Sequence, residues 1–334
     1  MRAIKRLLVF IGLGCLGALA LAGWLAWVAA SEVPLREPRI DFDIRPGLGL
    51  KAAAQTMREA GIGIIPWQFA LLGRLTGRDR SIQAGAYEVG AGTTAWQLLE
   101  KLTAGDVTQS ALVIVEGKTF RDMRRAIDAH PDLRHDTAGL TDREILQRIG
   151  ASVSHPEGRF FPDTYLFARQ SSDLDLYRRA YRAMEKRLSR AWERRDPSTP
   201  YKSIDEALIL ASIVEKETGA AAERGLIASV FVNRLKKGMP LQTDPTVIYG
   251  LGEKFDGNLR KIDLLTDTPY NTYTRPGLPP TPISLPGMAA IEAVLNPPST
   301  EYLYFVARGD GTSVFSRTLE EHNRAVDKYQ RGRG

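Results

Sequence analysis

One cysteine and four histidines are all that this 334-residue chain offers to redox and metal chemistry. A single cysteine excludes an intramolecular disulfide, and Cys15 lies inside an apolar run, away from ordinary thiol chemistry. His130, His135, His155 and His322 are not paired at metal-ligand spacing, so no metal is expected. No G-x-S-x-G or Walker sequence occurs, and the literal G-x-G-x-x-G of Gly12 to Gly17 follows no strand and opens no βαβ unit. No cofactor is therefore expected. A strong excess of one charge is also missing. The net charge of +6 comes from 45 Lys and Arg against 39 Asp and Glu, and Arg2, Lys5 and Arg6 precede any acid, leaving 42 against 39 in the remainder. That balance, with no recognition fold in sight, argues against a nucleic-acid partner despite a pI near 9.4. Charged residues at 25% and apolar residues at 43% exclude wholesale disorder and a polytopic membrane protein. The length suggests about two domains.

What is present begins with Leu7 to Ala30, 24 consecutive uncharged residues. As a helix at about 1.5 Å each they cover roughly 36 Å, enough to span a hydrocarbon core. A transmembrane anchor is the favoured reading, because the apolar region of a cleaved signal peptide usually stops sooner; Val28-Ala29-Ala30 would otherwise serve as a cleavage site. Lipoprotein processing at Cys15 is disfavoured by Gly12, which stands where a large aliphatic residue is expected. The basic residues 1–6 then stay cytoplasmic, and everything past Ser31 crosses the membrane. Gly14, Ala18, Ala22, Ala26 and Ala30 form a stripe of small side chains that suits either a packed helix partner or an Ala-rich helix with none.

Residues 31–38, with two prolines and mixed charge, read as a juxtamembrane linker. Arg39 to Arg45 alternates like a strand, Pro46-Gly47 turns, and Leu50 to Ala60 is helical with Gly61 as its stop. Ala86 to Val89 with Thr93 to Leu102 repeats the theme, as does Leu112 to Val115 with Phe120 to Ala129. Periodicity fades over residues 130–150, and Glu157 to Tyr165 forms an aromatic, Gly/Pro-punctuated loop suited to binding. Leu176 to Arg195 is a long basic amphipathic helix with a solvated arginine face. The fold class is α+β.

Ser203 and Glu206 cap a helix that is apolar nearly all round through Val214 and ends in Glu215-Lys216-Glu217-Thr218, with Gly219 as its stop. At about 100° per residue Glu215 lies over Ser212, Ala211 and Leu208, whereas Glu217 points to the other side. A carboxylate at the end of a buried helix loses hydration and faces the negative end of the helix dipole, which raises its pKa as a glycosidic general acid requires. A structural glutamate paired with an arginine is the competing reading. A second amphipathic helix covers Ala221 to Lys237, with Asn233 in line with Ser229 and Leu226. The polar runs Met239 to Gly250, Tyr270 to Tyr273 and Gly277 to Ser284 then offer the mixture of amide, hydroxyl, carboxylate and aromatic groups that binds sugars.

The runs Ala211-Ser212-Ile213-Val214-Glu215-Lys216-Glu217-Thr218, Val230-Phe231-Val232-Asn233-Arg234-Leu235, Leu241-Gln242-Thr243-Asp244-Pro245-Thr246, Asn271-Thr272-Tyr273, Gly277 to Ile283 and Tyr304-Phe305-Val306 resemble those of the endolytic murein transglycosylases, the YceG-like family. Glu157-Gly158, leading to Pro162-Asp163-Thr164-Tyr165, fits as well. The resemblance runs from the membrane helix to about residue 330. It implies a single-pass inner-membrane enzyme with its C-terminal part in the periplasm: a small LysM-like subdomain over residues 39–110 and a larger α+β catalytic domain over residues 111–330. The enzyme would cut nascent peptidoglycan strands internally, ending their elongation, with glycan strands as substrate and the peptidoglycan synthases as partners.

The resemblance puts the catalytic glutamate on Glu215, in agreement with its place on the helix. Glu215 would protonate the oxygen between N-acetylmuramic acid and N-acetylglucosamine and then take the proton of the muramic acid 6-hydroxyl as a 1,6-anhydro ring closes. Asn233, Gln242, Thr243, Asp244, Asn271, Tyr273 and Glu157 are the expected sugar-binding residues, with Glu217 and Ser212 supporting the acid. Asp244 and Glu217 could also supply the second carboxylate of a muramidase-type hydrolase, so hydrolysis stays open. A membrane-tethered glycan-binding protein without catalysis is the other alternative.

Overall fold

The computed structural model describes residues 2–45, 47–105, 109–217 and 222–332. Its chain divides into two compact units, one of Met1–Ala111 with Asp132–Arg134 and Leu166–Ser171, the other of Leu112–Pro131, His135–Tyr165 and Ser172–Gly334. Mixed helix and strand run through both.

The first unit opens with helix α1 (Arg2–Ala30), followed by strand β1 (Arg39–Ile44), helices α2 (Leu50–Glu59) and α3 (Pro66–Leu75), strand β2 (Gly85–Gly90) and helix α4 (Ala95–Ala104). Within α1, Gly12–Ala30 is long and apolar enough to cross a membrane. β1 and β2 are antiparallel, with Ile40 opposite Val89 and Phe42 opposite Tyr87. The alternation of β1 therefore puts Ile40, Phe42 and Ile44 on one buried face, where Phe42 stacks on Tyr87 at 5.7 Å. α2, α3 and α4 cover that face with Met57, Phe69, Leu98, Leu99 and Leu102. Thr94 and Gln97 close a capping box ahead of α4, and Gly105 ends it in the left-handed region at φ 68°. The interval 31–38 does more than link. Val33 N donates to Thr93 O at 2.9 Å, Ala95 N to Ser31 O at 3.0 Å, and Glu32 and Leu35 bridge to Thr94 and Ile62.

Strand β3 (Gln109–Val113) pairs with β5 (Thr164–Ala168), and β4 (Leu133–Arg134) with β6 (Ser171–Ser172). Helices α5 (Phe120–Asp128) and α6 (Asp142–Ile149) lie between them in sequence. α6 falls where periodicity fades; Thr141 and Glu144 cap it reciprocally, and only Ile145, Leu146 and Ile149 face inward. α7 (Asp173–Glu193) leads to α8 (Ile204–Glu217), the axis of the second unit's core. Every residue of α8 from Ala207 to Val214 is buried, because α7, α9 (Arg224–Lys236), α10 (Asp244–Leu251) and α12 (Met288–Leu295) pack around it. The short α11 (Lys261–Leu265) precedes α12, and the hairpin of β7 (Tyr304–Ala307) and β8 (Ser313–Ser316) precedes the last helix, α13 (Leu319–Tyr329). The expected stop at Gly219 and the start of the next helix at Ala221 lie outside the described residues.

Within the polar run Met239 to Gly250 the chain turns helical at Asp244. Pro245 explains this, since its fixed φ suits a first helical turn and its missing N–H is not needed there.

Candidate active site

α8 carries its two glutamates to different places. On one side Ser212, fully buried, accepts from Ile283 N at 2.9 Å, and Ser284 Oγ donates to Ser212 O at 3.0 Å. One turn on, Glu215 Oε2 accepts from Gly287 N at 2.9 Å. Ser212 and Glu215 thus share the face expected from helical spacing, and together they fasten residues 283–287 along α8. A Cβ on Gly287 would fall on the Glu116 carboxylate, so Glu116 sits in the same corner. Burial raises the Glu215 pKa, the Gly287 N–H opposes that, and the negative charge of Glu116 adds to it.

On the other side Glu217 enters a groove of about 590 Å³. Arg234, Gln242, Asp244, Tyr273 and Tyr304 line it as well; Glu215 is not among its lining residues. Volume alone does not single it out, since a hollow of about 580 Å³ opens over Arg194, Arg224, Glu292 and Asn296. Chemistry does. Burial raises the pKa of Glu217 and the charge of Asp244 adds to the rise, against the Thr243 hydroxyl and Arg234. The Thr243 hydroxyl donates to Glu217 Oε1, which is why Thr243, standing before α10, makes no side-chain cap there. Asp244 Oδ1 accepts from the Tyr273 hydroxyl at 2.6 Å, so the first turn of α10 and the 271–274 segment meet at the groove. Burial and the Asp244 carboxylate both push the Tyr273 phenol up.

Arg234 is the arginine of the wall, and it is spoken for. Its Nε donates to Leu303 O at 2.7 Å and its Nη1 to Leu241 O at 2.8 Å, while its plane lies 5.2 Å from the Tyr304 ring centre. Gln242, in the groove lining, adopts φ 51°, uncommon for any residue but glycine, and its N donates to Thr272 O at 3.1 Å. Such a conformation persists only where the surrounding structure fixes it, and here the Thr272 carbonyl does so.

Of the expected sugar-binding residues, Gln242, Asp244 and Tyr273 line the groove together, and Thr243 reaches it through Glu217. Three others face backbone. Asn233 Nδ2 donates to Thr300 O at 2.9 Å and Tyr302 O at 3.0 Å. Asn271, fully buried, donates to Thr266 O at 2.7 Å and Leu264 O at 3.1 Å and accepts from Tyr273 N at 2.9 Å. Glu157 is 3% exposed; Oε1 accepts from Phe120 N at 2.9 Å and Oε2 from the Tyr249 hydroxyl at 3.1 Å, and burial pushes its pKa up to about 7. None of the three lines the groove. Arg234, Tyr304 and Glu116 carry weight that spacing alone did not assign; Arg234 follows the apolar run Val230-Phe231-Val232, a signal that it would be buried. Among the described residues no group of three or more His, Cys, Asp or Glu is placed to hold a metal.

This α+β scaffold with a buried acid in a polar groove matches the YceG-like family model over residues 42–328, and the chain belongs to that family. Among its relatives is the endolytic murein transglycosylase of Bacillus subtilis, 34% identical over 309 residues, which cover 87% of this chain and 84% of that one. The endolytic murein transglycosylase of Streptococcus pneumoniae serotype 2 is 35% identical over 236 residues, 69% of this chain and 40% of that longer protein. A crystal structure of a yceG-like protein from Listeria monocytogenes superposes with a TM-score of 0.55 at 31% identity, over 86% of this chain and 98% of that one.

Proposed function

We propose that the chain is a membrane-anchored lytic transglycosylase that cuts peptidoglycan strands internally, with Glu217 rather than Glu215 as its acid. The observation that carries this reading is Glu217 itself: a carboxyl of raised pKa, lining the groove, beside Asp244, Tyr273 and Gln242. Protonated, Glu217 gives its proton to the oxygen between N-acetylmuramic acid and N-acetylglucosamine as the bond breaks through an oxocarbenium-like state. The carboxylate left behind takes the proton of the muramic acid 6-hydroxyl, whose oxygen closes the 1,6-anhydro ring. No water is consumed. Gln242 and Tyr273 are the groups positioned to orient sugar. Glu215, tied to the backbone of Gly287, helps fasten residues 283–287 along α8. The names of the Bacillus and Streptococcus relatives support the substrate and the reaction. Cleavage inside nascent strands would end their elongation.

The anchoring part of the proposal rests on α1, and the LysM-like reading of residues 39–110 on the β1-α2-α3-β2 order with its antiparallel pair. Single-pass inner-membrane placement with residues 1–6 cytoplasmic follows from the charge bias of that end. Association with peptidoglycan synthases fits that placement.

Paired variants test the acid. Glu217→Gln is expected to lower glycan cleavage by about 10²-fold or more, the scale of losing a general acid. Glu215→Gln is expected to keep the product pattern and lose stability. The reverse result moves the chemistry to Glu215. Because Asp244 stands close enough to act on Glu217 electrostatically, hydrolysis has a second carboxylate available. Mass spectrometry of the product ends separates the two: anhydro ends support the transglycosylase, and reducing ends would replace it with a hydrolase.

A further inference from the structure

The last two turns of α1 do not stand free. Trp24 stacks on Trp67 of α3, with ring centres 5.7 Å apart and planes 12° from parallel. Ser31 N donates to Trp27 O at 3.0 Å, and Ala95 N to Ser31 O at 3.0 Å, so the helix passes into the first unit with no slack. Even with one ring face covered, Trp67 is 55% exposed; Ile65 beside it is 50% exposed and Trp27 67%. Four large apolar side chains, two on α1 and two at the entry to α3, thus lie along one edge of the first unit, and three of them face outward. Water is a poor solvent for such an edge.

Helix geometry says what covers it. About 20 residues cross a hydrocarbon core of about 30 Å, so a helix entering at Leu7 leaves at roughly Ala26. Trp24 and Trp27 then sit at the far boundary, where tryptophan is enriched because its ring is apolar and its N–H seeks the wet side. Trp67, stacked on Trp24, must share that depth. We propose that the start of α3, Ile65 and Trp67, is a lipid-facing edge that enters the boundary between headgroups and acyl chains beside α1, seating the first unit on the bilayer. This rests on the reading of α1 as a membrane span. Pro66 at the first helical position suits such a place, since one of the N–H groups that would otherwise want water is absent.

The test uses the full-length protein in vesicles of phosphatidylethanolamine and phosphatidylglycerol whose chains are brominated near the headgroup end. Two single-tryptophan forms keep Trp24 or Trp67 alone, the other tryptophans being changed to Phe. Quenching of both by about twofold or more is the expected result. If Trp24 escapes quenching, the span itself is wrong. If Trp24 is quenched and Trp67 is not, the span stands and the seating of α3 is overturned. Unaltered protein carrying all five tryptophans gives a second measurement that needs no variant. A photoreactive phosphatidylethanolamine should label residues 65–67 as well as α1, and label confined to α1 overturns the proposal.

Discussion

Glu157 is a carboxyl with almost no water around it, and its two oxygens accept from a backbone N–H and a tyrosine hydroxyl. Burial outweighs those partners and lifts its pKa from 4.5 to about 7. A raised folded-state value means that the folded protein binds this proton more tightly than the unfolded chain does. Its contribution is complete below pH 4.5 and is lost as pH rises through 7, by an amount on the order of 3 kcal/mol. Wild type is therefore expected to lose stability against Glu157→Gln between pH 4.5 and pH 7, measured as the difference in urea unfolding free energy; a difference that does not change with pH would remove the buried-proton account. The same residue shows what a sequence conveys at this scale. That a carboxyl in an aromatic, glycine-punctuated loop matters can be read from the chain, yet its partners Phe120 and Tyr249 lie 37 and 92 residues away and no spacing rule reaches them. Likewise, helical geometry separated Glu215 from Glu217 correctly, but which side faced the groove depended on residues 243 and 287, brought in by tertiary packing.

Elements were legible in proportion to how one-sided they are. β1, α2, β2 and α4 follow their alternation or helical spacing to within about two residues, since each has one buried and one wet face. α3 does not. Phe69 and Leu72 are buried while Trp67 and Leu75 are exposed, so apolar residues go round it and no stripe stands out. Gly73 within it looks like a breaker. Its reason is packing: a Cβ there would overlap Leu50 Cδ2 and come within 3.5 Å of Leu99, so the glycine lets α2 and α4 close on α3. Gly73→Ala gains helix propensity and still is expected to destabilise the first unit by about 1–3 kcal/mol, the cost of overpacking, read from thermal or denaturant unfolding. Gly73→Ala combined with Leu50→Ala should recover part of that loss, because the overlapping atoms are gone.

At the scale of the molecule, each unit has a core of its own, one around Tyr87, Met57 and Leu98 and the other around α8. Chain length alone suggests about two domains. The basic residues at the start of α1 and the length of its apolar run lead to one expectation for the whole chain. Intact-mass measurement on protein extracted from membranes is expected to retain residues 1–30, and detergent should be needed to release it. A mature chain starting at Ser31 in the soluble fraction would mean that the apolar run is a signal sequence, which passes the same length and hydropathy test.

Arg234 reaches from α9 to the carbonyls of Pro240, Leu241 and Leu303, and Asn271 gathers the carbonyls of Asp263, Leu264 and Thr266 with the amides of Tyr273 and Thr274. Side chains that could have greeted a ligand are instead committed to main chain before any ligand arrives. Such a groove meets a floppy polymer as a finished mould, so the ordering entropy on binding falls on the sugar rather than on the protein. Affinity should then grow with the number of sugar rings the mould can hold and change little with loop composition elsewhere. On the proposed function, a long strand is therefore expected to be a better substrate than a fragment, checked by comparing cleavage of glycans of increasing length.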